Sequence, residues 1–381
     1  MTKLPEVTNK IGQSIWLDYI HRAFIESGEL EKLVNDGLRG ITSNPSIFEE
    51  AITGSSDYDD DLKKLAGTDK THREIYEALA VEDIQHAADL LYPVYKETEG
   101  IDGYISLEAS PALAYDTEGT IQEVRHLFTL VDRPNVMIKV PATAAGIPAI
   151  ATLIGEGINI NITLMFSLAD YEAVSDAYLR GLERLAATGG DLSRVASVAS
   201  FFVSRVDTAV DEQLDALINK NGASIARQLK GKIGIANAKM AYARYMIVFS
   251  SERWQRLAAQ GARVQRILFG STSVKNPEYP DTLYVDNLMG ANTINTVPPA
   301  TLEALRDHGK ISSGLTTNLD EAREQLNHLA RLGIDLEVIT QQLQDDGVIK
   351  FAKAFDDLIE SIAAERERLQ KEQPESDVVY A

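Results

Sequence analysis

Eight short β-like runs, each followed by a helical pattern, set the strongest limit on how this chain can fold. The runs are Ser14–Asp18, Leu38–Ser43, Gly103–Glu108, Val136–Val140, Ile158–Leu164, Ala196–Phe202, Arg266–Gly270 and Asn292–Val297. Helical periodicity is clearest after Ser167, an N-cap residue, where Leu168, Tyr171, Val174, Tyr178, Leu182 and Leu185 recur every three or four positions. Thr71 and Glu74 form a capping-box pattern at the start of another helix. Strands that alternate with helices pair in parallel, so eight units predict an α/β fold, a single closed (β/α)8 TIM-type barrel. Such a barrel takes roughly 250 residues, and the chain has 381. The surplus falls in two places. One is a helix-rich stretch between the second and third strands, roughly Pro45 to Tyr95. The other is a C-terminal helical extension over about 318–370, where Phe351, Phe355, Leu358 and Ile362 mark a helix able to pack across the barrel. No Gly/Ser or Pro linker divides the chain, so residues 1–381 read as one domain, with Lys371–Ala381 polar and frayed.

Charge and composition narrow what such a barrel can do. Thirty-seven Lys and Arg against 57 Asp and Glu leave a net charge of −20, spread along the chain. A field of that sign repels nucleic acid and anionic membranes. The absence of cysteine removes disulfides, thiolate nucleophiles and cysteine-based metal sites. The N-terminal MTKLPEVTNK lacks the apolar core of a secretory leader, and no run approaches the roughly 20 apolar residues of a membrane helix. These features predict a cytoplasmic protein. No dinucleotide fingerprint, P-loop or nucleophile elbow is present, and the six histidines show no metal-ligand spacing.

Polar residues inside the strands point to a site. A parallel strand buried on both faces reads as a continuous apolar run. Here Ser14, Trp16 and Asp18 share one parity, as do Tyr104, Ser106 and Glu108, Asn159, Asn161 and Thr163, and Ser200 and Phe202. Apolar faces meet the helices, so the polar ones line the barrel interior as a wet mouth. Lys139, within Val136–Pro141, is the sharpest oddity, because a strand lysine is rarely buried without a partner or a task. Desolvation favours its neutral amine, the form that Schiff-base chemistry uses. Asp18 and Glu108 end strands at the rim where barrel enzymes place chemistry, and two carboxylates around one lysine suit proton transfer. An internal ion-pair network holding Lys139 charged stays open as the other reading. The loop Phe269–Asn276 combines Gly270, hydroxyls and Lys275, and Arg205 lies just beyond the sixth strand. Together they fit a phosphate, which an acidic protein must attract with a local cationic patch; the loop alone also reads as an ordinary turn.

Two longer segments resemble the transaldolase family: Gly40–Phe48 (GITSNPSIF) and Val136–Ile147 (VMIKVPATAAGI). Length and the segment Tyr279–Val285 resemble its longer bacterial branch. The resemblance implies a cofactor-independent, metal-free transferase of the pentose phosphate pathway acting on sugar phosphates. It would move a dihydroxyacetone unit from sedoheptulose 7-phosphate to glyceraldehyde 3-phosphate. By similarity, Lys139 forms the imine, Asp18 takes the C4 hydroxyl proton, and Glu108 with Thr163 holds the relay water. Asn44 and Asn161 would bind the dihydroxyacetone hydroxyls, with Thr42 and Ser200 in the same pocket. Arg205, Ser273 and Lys275 would hold the phosphate, Lys275 standing where other branches carry arginine. Phe202 occupies the place of a tyrosine in related fructose-6-phosphate aldolases, which favours transfer over simple cleavage. A class I aldolase and a non-catalytic sugar-phosphate-binding protein remain the competing readings, and oligomeric state is not indicated.

Overall fold

The computed structural model describes residues 3–221 and 224–372. Eight parallel strands close into a barrel in chain order: β1 Gln13–Asp18, β2 Gly40–Thr42, β3 Tyr104–Glu108, β4 Val136–Pro141, β5 Ile160–Met165, β6 Ser197–Phe202, β7 Arg266–Gly270 and β8 Thr293–Val297. Hydrogen bonding of β8 to β1 closes the ring, with Trp16 in register with Thr296. Strand positions follow the expected runs within a few residues. The largest differences are at β2, which keeps only three residues of its run, and at the end of β5. There Leu164 adopts φ +55° and the register with β6 shifts between Ile162 and Met165. This irregularity turns Leu164 out of strict alternation and into an apolar cluster at the mouth with Phe166, Phe202 and Phe351.

The inward-facing residues divide by depth. The lower interior is filled by Trp16, Tyr104, Met137, Val198, Leu268 and Ile294. Beneath them Arg266 pairs with Asp102 at 2.8 Å, and Ser14 donates to Asp102 at 2.7 Å. Parity correctly placed Ser14 and Tyr104 inside the barrel, but not at a wet mouth: they belong to the plug at its opposite end. A strand pattern encodes which face a residue takes and carries no information about which end of the barrel is closed. Trp16 also explains why β2 begins with glycine. A Cβ on Gly40 would stand 2.5 Å from the Trp16 indole. Gly40→Ala is therefore expected to cost about 1–3 kcal/mol through overpacking, read as a lower urea midpoint at unchanged slope.

Around the barrel, helices start where local chemistry permits. Ser167 accepts from the Asp170 N–H at 2.9 Å, and the Asp170 carboxylate accepts from the Ser167 N–H at 3.1 Å. The helix Leu168–Ala187 that follows buries Tyr171, Val174, Tyr178, Leu182 and Leu185. Thr71 and Glu74 cap the helix His72–Glu97 in the same reciprocal way. The two surplus segments prove to be partners. The helices Pro45–Thr53, Asp59–Ala66 and His72–Glu97 form the first, and the helix Leu336–Glu372 lies against all three. Tyr76 meets Phe48 and Phe355 edge-on, at 5.9 and 5.4 Å between ring centres. The expectation for Lys371–Ala381 lies outside the described residues from position 373 onward. Among the described residues no helix is long and apolar enough to cross a membrane.

Candidate active site

A cavity of about 380 Å³ opens at the C-terminal ends of the strands. Its floor is set by strand register. Glu108 of β3 and Asn161 of β5 both stand beside Lys139 of β4. In-register neighbours on parallel strands point the same way, so all three enter the interior at one level. Lys139 is 6% exposed and Glu108 8%. The Lys139 Nζ forms an ion pair with Glu108 Oε2 at 2.7 Å and donates to the Ser43 carbonyl at 2.9 Å. The nucleophile candidate and a carboxylate thus share a nearly dry contact. Burial pushes the Glu108 carboxyl up from its ordinary value, with the Lys139 charge opposing.

Asp18 reaches the cavity from the adjoining wall. It is in register with Thr42, whose hydroxyl donates to Asp18 Oδ1 at 2.6 Å. Thr296 of β8 lies 2.8 Å from the same hydroxyl and completes a chain that fixes the carboxylate's orientation. Thr163 and Ser200 line the wall beyond Lys139. The Thr163 hydroxyl is buried and has no hydrogen-bond partner among the described residues. A buried hydroxyl in that state is costly unless a water or ligand meets it. Asn44 caps the helix Pro45–Thr53 with its carbonyl oxygen, which accepts from the Ile47 N–H at 3.2 Å. Its amide N–H groups are left for the cavity that it lines.

Not every expected residue faces the cavity. Asn161 starts from the level of Lys139 but is too short to reach the cavity, accepting from Ser200 at 2.6 Å and donating to Ser106 at 3.0 Å. Glu108 stands behind Lys139 and touches the cavity through it. Phe202, Arg205, Ser273 and Lys275 do line it. Arg205 sits in the first turn of the helix Ser204–Asn221, over the Phe202 ring at 5.4 Å. Among the described residues it has no carboxylate within ion-pair distance. Burial lowers its pKa, with Asp18 opposing. A half-buried, unpaired guanidinium in a chain of net charge −20 fits an anionic ligand. Lys275 donates to Ser273 at 2.8 Å, so both present polar groups from one loop. That loop leaves β7 through Ser271, at φ +52°, whose carbonyl accepts from the Ser204 N–H at 2.8 Å.

The Tyr279–Val285 segment anchors this loop. The Tyr279 hydroxyl donates to Asp211 at 2.6 Å, and Tyr284 stands beside Asp207 on the same helix as Arg205. Asp207 also accepts from the Gly234 N–H at 2.7 Å. Burial pushes the Asp207 carboxyl up to about 7, and the neighbouring Asp211 is raised in the same direction. A carboxyl whose folded pKa exceeds its unfolded value stabilises the fold fully at low pH and loses that contribution as pH rises. For Asp207 the loss runs from about pH 4 to 7, at up to about 1.4 kcal/mol per pH unit. Asp207→Asn is expected to match wild type in urea midpoint near pH 4 and exceed it at pH 8; parallel pH profiles would count against a neutral Asp207.

Residue patterns did not reveal Thr296, Lys350 or Phe351 as cavity-lining groups. The inward parity of β8 was available as a signal for Thr296. Lys350 and Phe351 lie on the C-terminal helix, which reads as an ordinary packed helix.

The family model described as Transaldolase/Fructose-6-phosphate aldolase matches residues 15–362. A protein named Transaldolase from Trichodesmium erythraeum is 45% identical over 373 residues, covering 96% of this chain and 98% of its own. Another Transaldolase, from Thiobacillus denitrificans, is 48% identical, covering 93% and 98%. Transaldolase 1 of Streptomyces avermitilis is 49% identical, covering 92% and 93%.

Proposed function

The chain belongs to the transaldolase/fructose-6-phosphate aldolase family, and from that premise we propose that it is a transaldolase whose covalent step is carried by Lys139. It takes a dihydroxyacetone unit from sedoheptulose 7-phosphate and gives it to glyceraldehyde 3-phosphate. The products are erythrose 4-phosphate and fructose 6-phosphate, in the non-oxidative pentose phosphate pathway. The observation that carries this reading is the buried Lys139–Glu108 contact of 2.7 Å at the base of a cavity whose walls hold Asp18 and Arg205.

With its proton on Glu108, the Lys139 amine attacks C2 of the ketose. Protons returned from the Glu108 side let the C2 oxygen leave as water, giving the imine. Thr163, with its unpartnered hydroxyl, holds that water. Asp18, oriented by Thr42, takes the C4 hydroxyl proton; the C3–C4 bond breaks, its electrons enter the imine, and the aldose leaves. The enamine carbon then attacks the acceptor aldehyde, Asp18 returns its proton to the new alkoxide, and water releases the ketose. Asn44 binds the dihydroxyacetone hydroxyls directly, and Asn161 supports them through Ser200. Arg205, Ser273 and Lys275 hold the phosphate of donor and acceptor alike. This reading treats residues 1–381 as one catalytic domain, with the helices of 318–370 as an extension. It also takes the chain as a cytoplasmic enzyme that meets sugar phosphates rather than nucleic acid or membrane.

Phe202 favours transfer over aldol cleavage, because a ring without a hydroxyl offers no proton to a hydrolytic water. The direct test incubates the protein with fructose 6-phosphate and borohydride, followed by peptide mass spectrometry. A reduced three-carbon adduct on the Lys139 peptide supports the imine and the nucleophile together. Intact binding with no adduct on any lysine would leave a sugar-phosphate-binding protein.

A further inference from the structure

The C-terminal helix brings one aromatic ring over two cations of the site. Gln344 donates to the Ala142 carbonyl at 3.2 Å and to the Leu164 carbonyl at 3.1 Å, bolting the helix to the barrel rim beyond β4 and at the end of β5. The positive φ of Leu164 belongs to the same contact. Gly347, one turn on, lets the helix approach so closely that a Cβ there would stand 2.7 Å from Leu164 Cδ2. Phe351 follows Gln344 by seven residues and so shares its face. Its ring centre lies 5.9 Å from Lys139 Nζ and 6.0 Å from Arg205 Cζ. The ring is 6% exposed, while Ile349 on the outer face is 67% exposed.

We propose that Phe351 is a positioning residue that keeps bulk water from the Lys139 adduct and thereby decides whether the three-carbon unit is transferred or released. This rests on the transaldolase reading above. Between departure of the first aldose and arrival of the second, the unit waits on Lys139 as an enamine. Release needs one proton at C3 and one water at C2: the carbon–nitrogen bond then breaks, dihydroxyacetone leaves and Lys139 recovers its amine. An apolar roof keeps bulk water from delivering the proton to C3, while an acceptor held by its phosphate still reaches that carbon; the water on Thr163 serves the imine hydrolysis that follows either fate. The same ring steadies Arg205, joining phosphate binding to the cover over the lysine.

The test follows fructose 6-phosphate with and without erythrose 4-phosphate, measuring free dihydroxyacetone against transfer product in the full-length protein. Phe351→Ala is expected to raise the release-to-transfer ratio by about tenfold or more. Phe351→Leu keeps apolar bulk and gives a smaller rise, with a higher KM for fructose 6-phosphate. Ile349→Ala leaves the ratio at the wild-type value. If Phe351→Ala does not fold, Gln344→Ala, which loosens the helix and retains the ring, carries the same expected rise. A wild-type ratio in the folded variants, with transfer merely slower, overturns the inference. A wild-type protein that transfers nothing overturns the transaldolase reading instead.

Discussion

Lys139→Ala is expected to reduce transfer to below roughly a hundredth of wild type while leaving the fold intact, because it deletes the only nucleophile that the reaction path uses. The side chain makes two polar contacts, to Glu108 and to the Ser43 carbonyl. Its loss leaves Glu108 in a site where burial already favours the neutral acid. That acid tolerates the missing cation better than a fixed carboxylate would, since a protonated carboxyl carries no uncompensated charge. Circular dichroism and the urea midpoint report the fold, and coupled-enzyme rates report turnover. A folded Lys139→Ala protein above that residual rate would remove the lysine from the nucleophilic role. Borohydride with fructose 6-phosphate should leave the variant unlabelled.

Asp18→Ala separates the two carboxylates. Its proton transfer belongs to cleavage of the C3–C4 bond and to its reversal. The variant is therefore expected to form the borohydride-trappable imine yet lose about 10²–10⁴-fold in turnover. Trapping should capture the whole six-carbon ketose instead of the three-carbon fragment. The geometry supports this division of labour. Glu108 touches Lys139 directly, whereas Asp18 is held by Thr42 on the adjoining wall of the cavity. Loss of imine formation in Asp18→Ala would reverse the assignment and make Asp18 the partner of the dehydration step.

Much of this site could be read along the chain. An ionisable residue inside a run of Val, Met and Ile has few bland explanations, so Lys139 stood out at once. Parity then gathered Asp18, Glu108 and Thr163 on inward faces, and register later placed Glu108 and Lys139 side by side. What parity could not supply was depth. Ser14 and Asp18 lie on the same face of β1, four residues apart, yet Ser14 is bonded to Asp102 in the closed end while Asp18 opens to the cavity. Asn161 likewise points inward and is covered by Ser200. The segment Tyr279–Val285 shows its contacts only in three dimensions, where it ties the loop after β7 to Asp207 and Asp211.

The eightfold βα repeat, the inward face of most strands, the caps of two major helices and the lysine with its carboxylates are all legible along the chain. Each of these rests on short-range stereochemistry: alternating side chains, a 3.6-residue period, and a hydroxyl that meets an N–H three residues away. Long-range packing sets the rest: the insertion after β2 and the C-terminal helix pack on one another, and this helix brings Lys350 and Phe351 to the cavity. Those contacts join positions 180 or more residues apart, such as Gln344 with Leu164 and with Ala142. No local pattern encodes them, because the energy that sets them is the burial of one apolar face against another.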